Sequence, residues 1–464
     1  MIPMTRKTKW LVGIAVTLAL LTMVGWWLKG QLLPTAQPAT LDPLKAEVAG
    51  RFIGLIEQAN YSDALAMLAP EARGKLGESE LRTLWEALPG QLGGEPQRGP
   101  ARGEAINGNP VVSFRLQYPN LALDARIAVD AAGAVTGFRL VPAARAYVPP
   151  PPLPPEAPLD ERAVVVRASN GKPLEATLAI PKGEGPFPGV VLVHGSGPHD
   201  RDETIGPNKP FADLARGLAA RGVAVLRYDK RTWAHPTEFA GRPFTADDEV
   251  TADAIAALAT LRDVEGIDPA RVVIAGHSLG GMLAPRIALA DGRLAGLVML
   301  AAPALPLEDK VVMQTRYLAQ LAGRGSPEAE AQIREIEGQR NTIRQLTDET
   351  SAPGRLMLDL PARYWLDLRG YDPVDAAIRT NLPLLVIGGG RDYQVDQNDW
   401  ARWEQALGGN SRATLMHYPT LNHLLMTGEG PPRPDEYFKA GQVDRNLIED
   451  LAAWISNLQP AATP

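Results

Sequence analysis

The sequence predicts an α/β protein with a mainly parallel sheet and a helical cap, preceded by a small α+β domain and an apolar N-terminal segment. Three observations lead there. From about residue 159 onward, short apolar runs alternate with helical segments, the rhythm of a parallel sheet. Between about residues 41 and 141, a helical half is followed by strands of alternating polarity. The two regions are separated by PAARAYVPPPPLPPEAP (142–158), whose proline density favours a semi-stiff polyproline II spacer.

At the N-terminus, Arg6, Lys7 and Lys9 precede an uncharged stretch from Trp10 to Leu28 that closes on Trp26, Trp27 and Lys29. As a helix this stretch would span about 28 Å, close to the hydrocarbon thickness of a bilayer. Tryptophans suit an interfacial belt, and no A-x-A cleavage site follows, so residues 1–30 read as an uncleaved membrane anchor. Secretion after signal cleavage is the alternative. The basic flank would leave the rest of the chain outside the cytoplasm, in a periplasm or at the cell exterior.

The domain of residues 41–141 begins with Leu44, Val48, Phe52, Leu55 and Ile56 at helical spacing, and the pattern continues through Tyr61–Leu68 and Glu78–Leu88. Val112, Phe114, Leu116 and Tyr118 then alternate with polar residues. Leu121, Leu123, Ala125, Ile127 and Val129 do the same, with turns at Pro119-Asn120 and Ala131–Gly133. This predicts a meander with one wet face. The domain contains no histidine and no converging polar cluster, so it reads as a binding, spacing or homodimerisation module.

In the larger region, residues 159–460, Asn170-Gly171 signals a hairpin between Ala163–Ala168 and Leu174–Ile180. Strands are expected at 189–193, 223–229, 272–275, 294–301, 384–387 and 413–418. Helices are expected at 211–221, 247–264, 282–290, 399–407 and 446–455. The stretch from Pro303 to about Asp375 breaks this rhythm and is too long for an ordinary loop. It reads as a largely helical cap.

The stretch RVVIAGHSLGG (271–281) runs from an apolar strand through G-x-S-x-G into an alanine-rich helix. Glycines on both sides permit a sharp turn that lifts the Ser278 hydroxyl over the end of the sheet, where the N-terminus of the following helix points. A serine hydroxyl needs a base, and the base needs a carboxylate to fix its tautomer. Of the six histidines, only His417 and His423 follow Ser278. His417 lies inside a strand and His423 in the loop just past it, which favours His423 as the base. Asp392 follows Gly388-Gly389-Gly390 beyond a strand end and is the preferred acid. Asp396 and Asp399 are its rivals, with Asp399 the better helix cap. For an oxyanion, the Leu279 N–H is one donor, and Gly195 or Ser196 in the loop His194-Gly195-Ser196-Gly197 supplies the other. His194 reads as holding that loop, and His277 as pointing away from the nucleophile. His194, His199, Asp200 and Asp202 have no metal-ligand spacing, so neither metal nor cofactor is expected. Tyr228-Asp229-Lys230-Arg231 reads either as a pocket border or as a surface turn with a salt bridge.

Composition narrows the alternatives. A net charge of −6, with no basic run beyond the N-terminus, gives no case for nucleic acid, and the absence of cysteine excludes disulfides.

These residues resemble the α/β-hydrolase superfamily, in particular bacterial serine hydrolases that join a small N-terminal domain of unknown function to an esterase-like domain. That group is related to dienelactone hydrolase and prolyl oligopeptidase. The resemblance is carried by LVHGSGPHDRDETIGPNKPF (192–211), VAVLRYDKRT (223–232), GHSLGGMLAPRIA (276–288), GGGRDYQV (388–395) and LNHLL (421–425). It implies Ser278 as nucleophile, Asp392 as acid and His423 as base in a carboxylesterase acting on a small acyl ester. A peptidase, amidase or thioesterase on the same fold is the alternative, and a non-catalytic binding protein the remaining one. The resemblance also implies that Pro285 is tolerated inside the helix behind the serine.

Overall fold

The computed structural model describes residues 37–461 apart from 74–76, 93, 107–108, 119–121, 144–146, 240–241, 322–326 and 349–354. The expected membrane segment and the turn at Pro119-Asn120 lie outside these residues. Among the described residues, no helix is long and apolar enough to cross a membrane. The chain divides into two compact units, Met1–Tyr147 and Val148–Pro464.

In the first unit, Asp42 caps the helix Pro43–Glu57 through its carboxylate, which accepts from the Leu44 and Lys45 N–H groups, and Pro43 fits the first turn. The helix buries Ala49, Phe52, Ile53 and Ile56. This face is rotated from the expected one: Phe52 and Ile56 are shared, but Leu44 is 75% exposed. The i, i+3, i+4, i+7 spacing of the buried four follows the helical repeat more closely than the predicted set does. Phe52 meets Phe138 edge-to-face at 5.3 Å. Five antiparallel strands lie in the order β1 (Gln37–Pro38), β2 (Gln97–Ile106), β3 (Asn109–Gln117), β4 (Ala122–Val129) and β5 (Val135–Pro142). Val112, Phe114 and Leu116 are buried together with Leu123, Ala125 and Ile127, as the alternation predicts.

The face expected to be wet is not simply solvated. Asp124 is buried there, accepting from Arg102 and Arg115 at 2.8 and 2.6 Å, and Arg126 pairs with Glu104. Sequence reasoning missed β2, because QRGPARGEAI lacks alternation. Cross-strand ion pairs and backbone pairing form it instead. Gly103 is required by close approach, since a Cβ there would collide with the Ala39 carbonyl of the chain beside β1.

In the second unit, the eight-stranded sheet runs β13 (Ala413–Tyr418), β12 (Leu384–Gly389), β11 (Gly296–Leu300), β10 (Ile267–His277), β8 (Phe187–Val193), β9 (Ala224–Tyr228), β7 (Pro173–Pro181) and β6 (Leu159–Arg167). The six strands from β13 to β9 pair in parallel, and the β6–β7 hairpin adds antiparallel at one edge. Its turn carries Gly171 at φ +83°, which the Asn-Gly pair allows.

Strands buried on both faces read as unbroken apolar runs, as in Val190–Val193, Val272–Ala275 and Leu384–Ile387. Each fully buried Val or Leu there contributes about 1.5–3 kcal/mol. Helices Pro210–Ala219 and Arg445–Ser456 pack Phe211, Leu214, Leu218, Leu447, Leu451 and Ile455 into one core with Val190, Leu192 and Val273. Helices Ala252–Arg262 and Leu279–Asp291 pack along β10, and the latter continues through Pro285.

The stretch after β11 is helical over Leu307–Leu321, Pro327–Gln345, Ala362–Leu368 and Pro373–Arg379. Buried Lys310 fastens its first helix to Asp396 and Asp399, at 3.1 and 2.5 Å. Tyr317 of the same helix stacks on Tyr393. The helix cap at Gln397–Leu407 is Asp396, which accepts from the Asn398 N–H. Asp399, expected in that role, is buried and accepts from the Ala304 and Leu305 N–H groups instead.

Candidate active site

Four loops meet beyond the carboxyl ends of the parallel strands, where an open α/β sheet gathers functional groups. At the end of β10, the chain turns through Ser278 at φ +52°, ψ −119°, a strained conformation for a residue with a side chain. Both flanking glycines are needed by contact. A Cβ on Gly276 would collide with the Gly280 carbonyl, and one on Gly280 with the Val193 carbonyl. The helix begins at Leu279, immediately after the serine and earlier than expected, so the Leu279 N–H belongs to its open N-terminal turn.

After β12, Gly389 and Gly390 bring the acid loop against the next one. A Cβ on Gly389 would strike the Leu421 carbonyl, and one on Gly390 would lie 2.7 Å from the Pro419 carbonyl. Asp392 is thereby buried with its Oδ2 2.6 Å from His423 Nδ1, while its Oδ1 accepts from the Gln394 and Val395 N–H groups at 2.8 and 2.9 Å. The His423 loop is shaped by Asn422, whose side-chain oxygen accepts from the Leu424 and Met426 N–H groups. His417 lies apart, on an outer part of β13 against the Trp400 ring.

His277, expected to point away from Ser278, is buried against the His423 loop. Its Nε2–H donates to the His423 carbonyl at 2.8 Å, and its Nδ1 sits 2.9 Å from Glu203 Oε2. The second contact is an oblique ion pair rather than an aligned hydrogen bond. The other oxygen of Glu203 accepts the Gly195 N–H at 2.6 Å. Of the two N–H groups expected as alternatives in this loop, that of Gly195 is therefore already engaged, whereas among the described residues that of Ser196 has no partner. Gly195 nevertheless lies against Ser278, since a Cβ on it would be 3.2 Å from the Ser278 Cβ.

The loop after β8 is braced throughout. His194 Nε2 meets the Asp200 carbonyl at 3.0 Å, and burial drives the His194 pKa down to about 3, so the ring is neutral. Arg201 pairs with Asp229, and Asp202 with Arg227. The Tyr228–Arg231 stretch is thus an internal brace, not a surface turn: Lys230 is buried, and its Nζ reaches the Gly195 and Gly197 carbonyls and Glu249.

Glu203 and Glu249 escaped sequence reasoning. Their only sequence signal is a carboxylate close to a glycine-rich loop or within the acidic run Asp247-Asp248-Glu249 at the start of a helical stretch, and many surface residues share it.

Burial alone would raise the Glu203 carboxyl. Attraction to the His277 imidazole beside it brings it down to about 2. Burial likewise opposes a charge on His277, but Glu203 raises the imidazole above its ordinary 6.5. A lowered carboxyl stabilises the fold above its unfolded value of 4.5, and that contribution is lost as pH falls through about 2. A raised imidazole contributes fully below 6.5, and loses its contribution as pH climbs through the folded value. The pair is therefore expected to stabilise most between about pH 4.5 and 6.5. Thermal melts of wild type and Glu203→Gln across pH check this. The Tm gap should be widest in that window and narrow on either side, and a gap independent of pH would sink the assignment.

Residues 190–440 match the model of the alpha/beta hydrolase family. The chain is 36% identical over 405 residues to esterase EstD of Thermotoga maritima, covering 87% of this chain and 93% of that protein. Among solved structures it is similar to the esterase domain of a Rhodothermus marinus protein (18% identity, TM-score 0.40, 64% of this chain and 99% of that one). It is also similar to an esterase from Pyrococcus furiosus (16% identity, TM-score 0.42, 68% and 96%). A family match over more than half the chain and a relative aligned along nearly its whole length agree with the mixed sheet and its loop cluster: the chain belongs to the α/β-hydrolase family.

Proposed function

We propose that this protein is a carboxylesterase that works through an acyl-enzyme on Ser278. The observation that carries the reading is the buried Asp392–His423 contact at 2.6 Å, in the same loop cluster as the strained Ser278 turn. The 36% identity to a curated esterase supports the ester as substrate.

In this reading, Ser278 Oγ attacks the ester carbonyl carbon and its proton passes to His423 Nε2. The C=O π pair moves onto oxygen, and the Leu279 and Ser196 N–H groups receive that oxyanion. Collapse breaks the C–O bond to the alcohol, which takes the proton from His423. Water, deprotonated by the same imidazole, then repeats the attack and releases the acid and the free serine. Asp392 keeps the proton on Nδ1, so that Nε2 presents its lone pair. No metal or cofactor enters any step.

Two further expectations belong to the same proposal. The basic and apolar N-terminus anchors the chain in a membrane with the hydrolase unit outside the cytoplasm, and the first unit is a binding or homodimerising module.

A fluorescent alkyl phosphonate together with a matched pair of p-nitrophenyl ester and p-nitroanilide substrates tests the function. Wild type should be labelled at Ser278 and should cleave the ester well ahead of the anilide. Absence of labelling, or a preference for the anilide, would overturn the esterase reading.

A further inference from the structure

The peptide unit joining Gly195 to Ser196 is gripped from one side by a buried cation. Lys230 Nζ donates to the Gly195 carbonyl at 2.9 Å and to the Gly197 carbonyl at 2.9 Å, and pairs with Glu249 Oε1 at 2.6 Å. Glu249 lies in a π-helical turn, Asp247–Thr251, and its second oxygen accepts from the Tyr364 hydroxyl at 2.7 Å. Tyr364, fully buried, belongs to the helix Ala362–Leu368 of the segment inserted after β11. Such widened turns are rare and concentrate at functional sites.

A trans peptide is planar, so its C=O and N–H point in opposite directions. Anchoring the Gly195 oxygen on Lys230 therefore turns the Ser196 N–H away from the lysine. Among the described residues that N–H has no partner, and Ser196 is partly exposed while Gly195 and Gly197 are buried. The cation also polarises the peptide through its oxygen, which strengthens the N–H as a donor to a negative oxygen. Gly195 is fixed from its other side as well, its N–H held by Glu203. Neither half of the loop can rotate without breaking a charged contact.

We infer that Lys230, held by Glu249 and Tyr364, is a positioning residue that aims and polarises the Ser196 N–H as an oxyanion donor, and so ties the inserted helical segment to the catalytic step. The inference rests on the esterase reading, in which Ser196 supplies that donor. It assigns Lys230 no contact with substrate. Its effect should fall on the charged tetrahedral state and spare the neutral ester.

The test compares wild type, Lys230→Met and Tyr364→Phe in ester kinetics and in inhibition by an aryl trifluoromethyl ketone. The ketone adds to the serine hydroxyl, whose proton passes to the histidine, and leaves an alkoxide in the oxyanion position. Lys230→Met should lower kcat by about 10²-fold, the scale of losing one oxyanion donor, with KM within about twofold of wild type. Ketone affinity should weaken by a similar factor. Tyr364→Phe leaves the ion pair in place and removes one buried hydrogen bond, so it should lower kcat about three- to tenfold in the same pattern.

Unchanged kcat in Tyr364→Phe would overturn the inference, and this variant decides alone if Lys230→Met does not fold. Equal weakening of ester KM and ketone affinity would overturn it too, since a merely structural lysine predicts that. A wild type that hydrolyses the ester but ignores the ketone, with Ser278→Ala equally active, would instead remove the esterase mechanism beneath it.

Discussion

Ser278→Ala is expected to lower ester kcat by about 10⁶-fold while leaving the protein folded and still able to bind substrate. Among the described residues, Ser278 is the hydroxyl set on a strand–turn–helix junction whose flanking glycines are both demanded by contact. The residual rate should reflect water attacking an ester held by the oxyanion donors. Initial-rate assays with a chromogenic ester measure the loss, and equilibrium binding of a non-hydrolysable ester analogue verifies that the pocket survives. Turnover within about tenfold of wild type would remove Ser278 as the nucleophile.

A companion replacement, Ser278→Gly, separates strain from chemistry. At φ +52° and ψ −119° a side chain costs about 1–3 kcal/mol, whereas glycine adopts such a conformation freely. The glycine variant should therefore be as inactive as the alanine variant but melt higher than it does. A lower Tm for glycine would mean that the turn is not strained.

The second large effect is expected at Asp392. Asp392→Asn preserves size and keeps an oxygen for the Gln394 and Val395 N–H groups, so the loop should remain in place. Toward His423 Nδ1, however, it presents an amide N–H₂ where a carboxylate accepted at 2.6 Å. The imidazole must then accept at Nδ1 and carry its proton on Nε2, which turns the base into a donor facing the serine. A loss of about 10⁴-fold in kcat with little change in KM follows from the wrong tautomer. Asn at position 396 should leave kcat within a few-fold of wild type, because Asp396 caps a helix and pairs with Lys310 away from His423. If the two substitutions had equal effects, the acid would have been assigned to the wrong residue of the loop.

Much of the architecture was legible in the order of residues. Strands buried on both faces announce themselves as apolar runs, which is why β8, β10, β11 and β12 were foreseen in nearly the right places. The turn at Ser278 was legible because its glycines serve backbone contacts that no other residue allows. Failures occurred where pattern carries no information. β2 of the first unit is made by pairing and ion pairs rather than by alternation, and the Pro43–Glu57 helix shows a slightly different face because its partner sheet selects it. Asp396 caps the helix in place of Asp399 for a similar reason. Either can cap a helix by local chemistry, and only the approach of Lys310 and the Ala304–Leu305 backbone drew Asp399 inward.

By itself the sequence determined what local chemistry can write down: where most strands and helices run, which serine stands on a glycine-flanked turn, and which acid and histidine follow it in loops after later strands. Tertiary structure alone decided how that turn is held. It spent the Gly195 N–H on Glu203, set His277 between Glu203 and the His423 carbonyl, and buried Lys230 against the Gly195 carbonyl. Those partners lie from 8 to 146 residues apart along the chain. Their meaning comes from a low-dielectric interior that makes an unpaired charge costly, and a linear order of residues does not disclose which charges will be enclosed together.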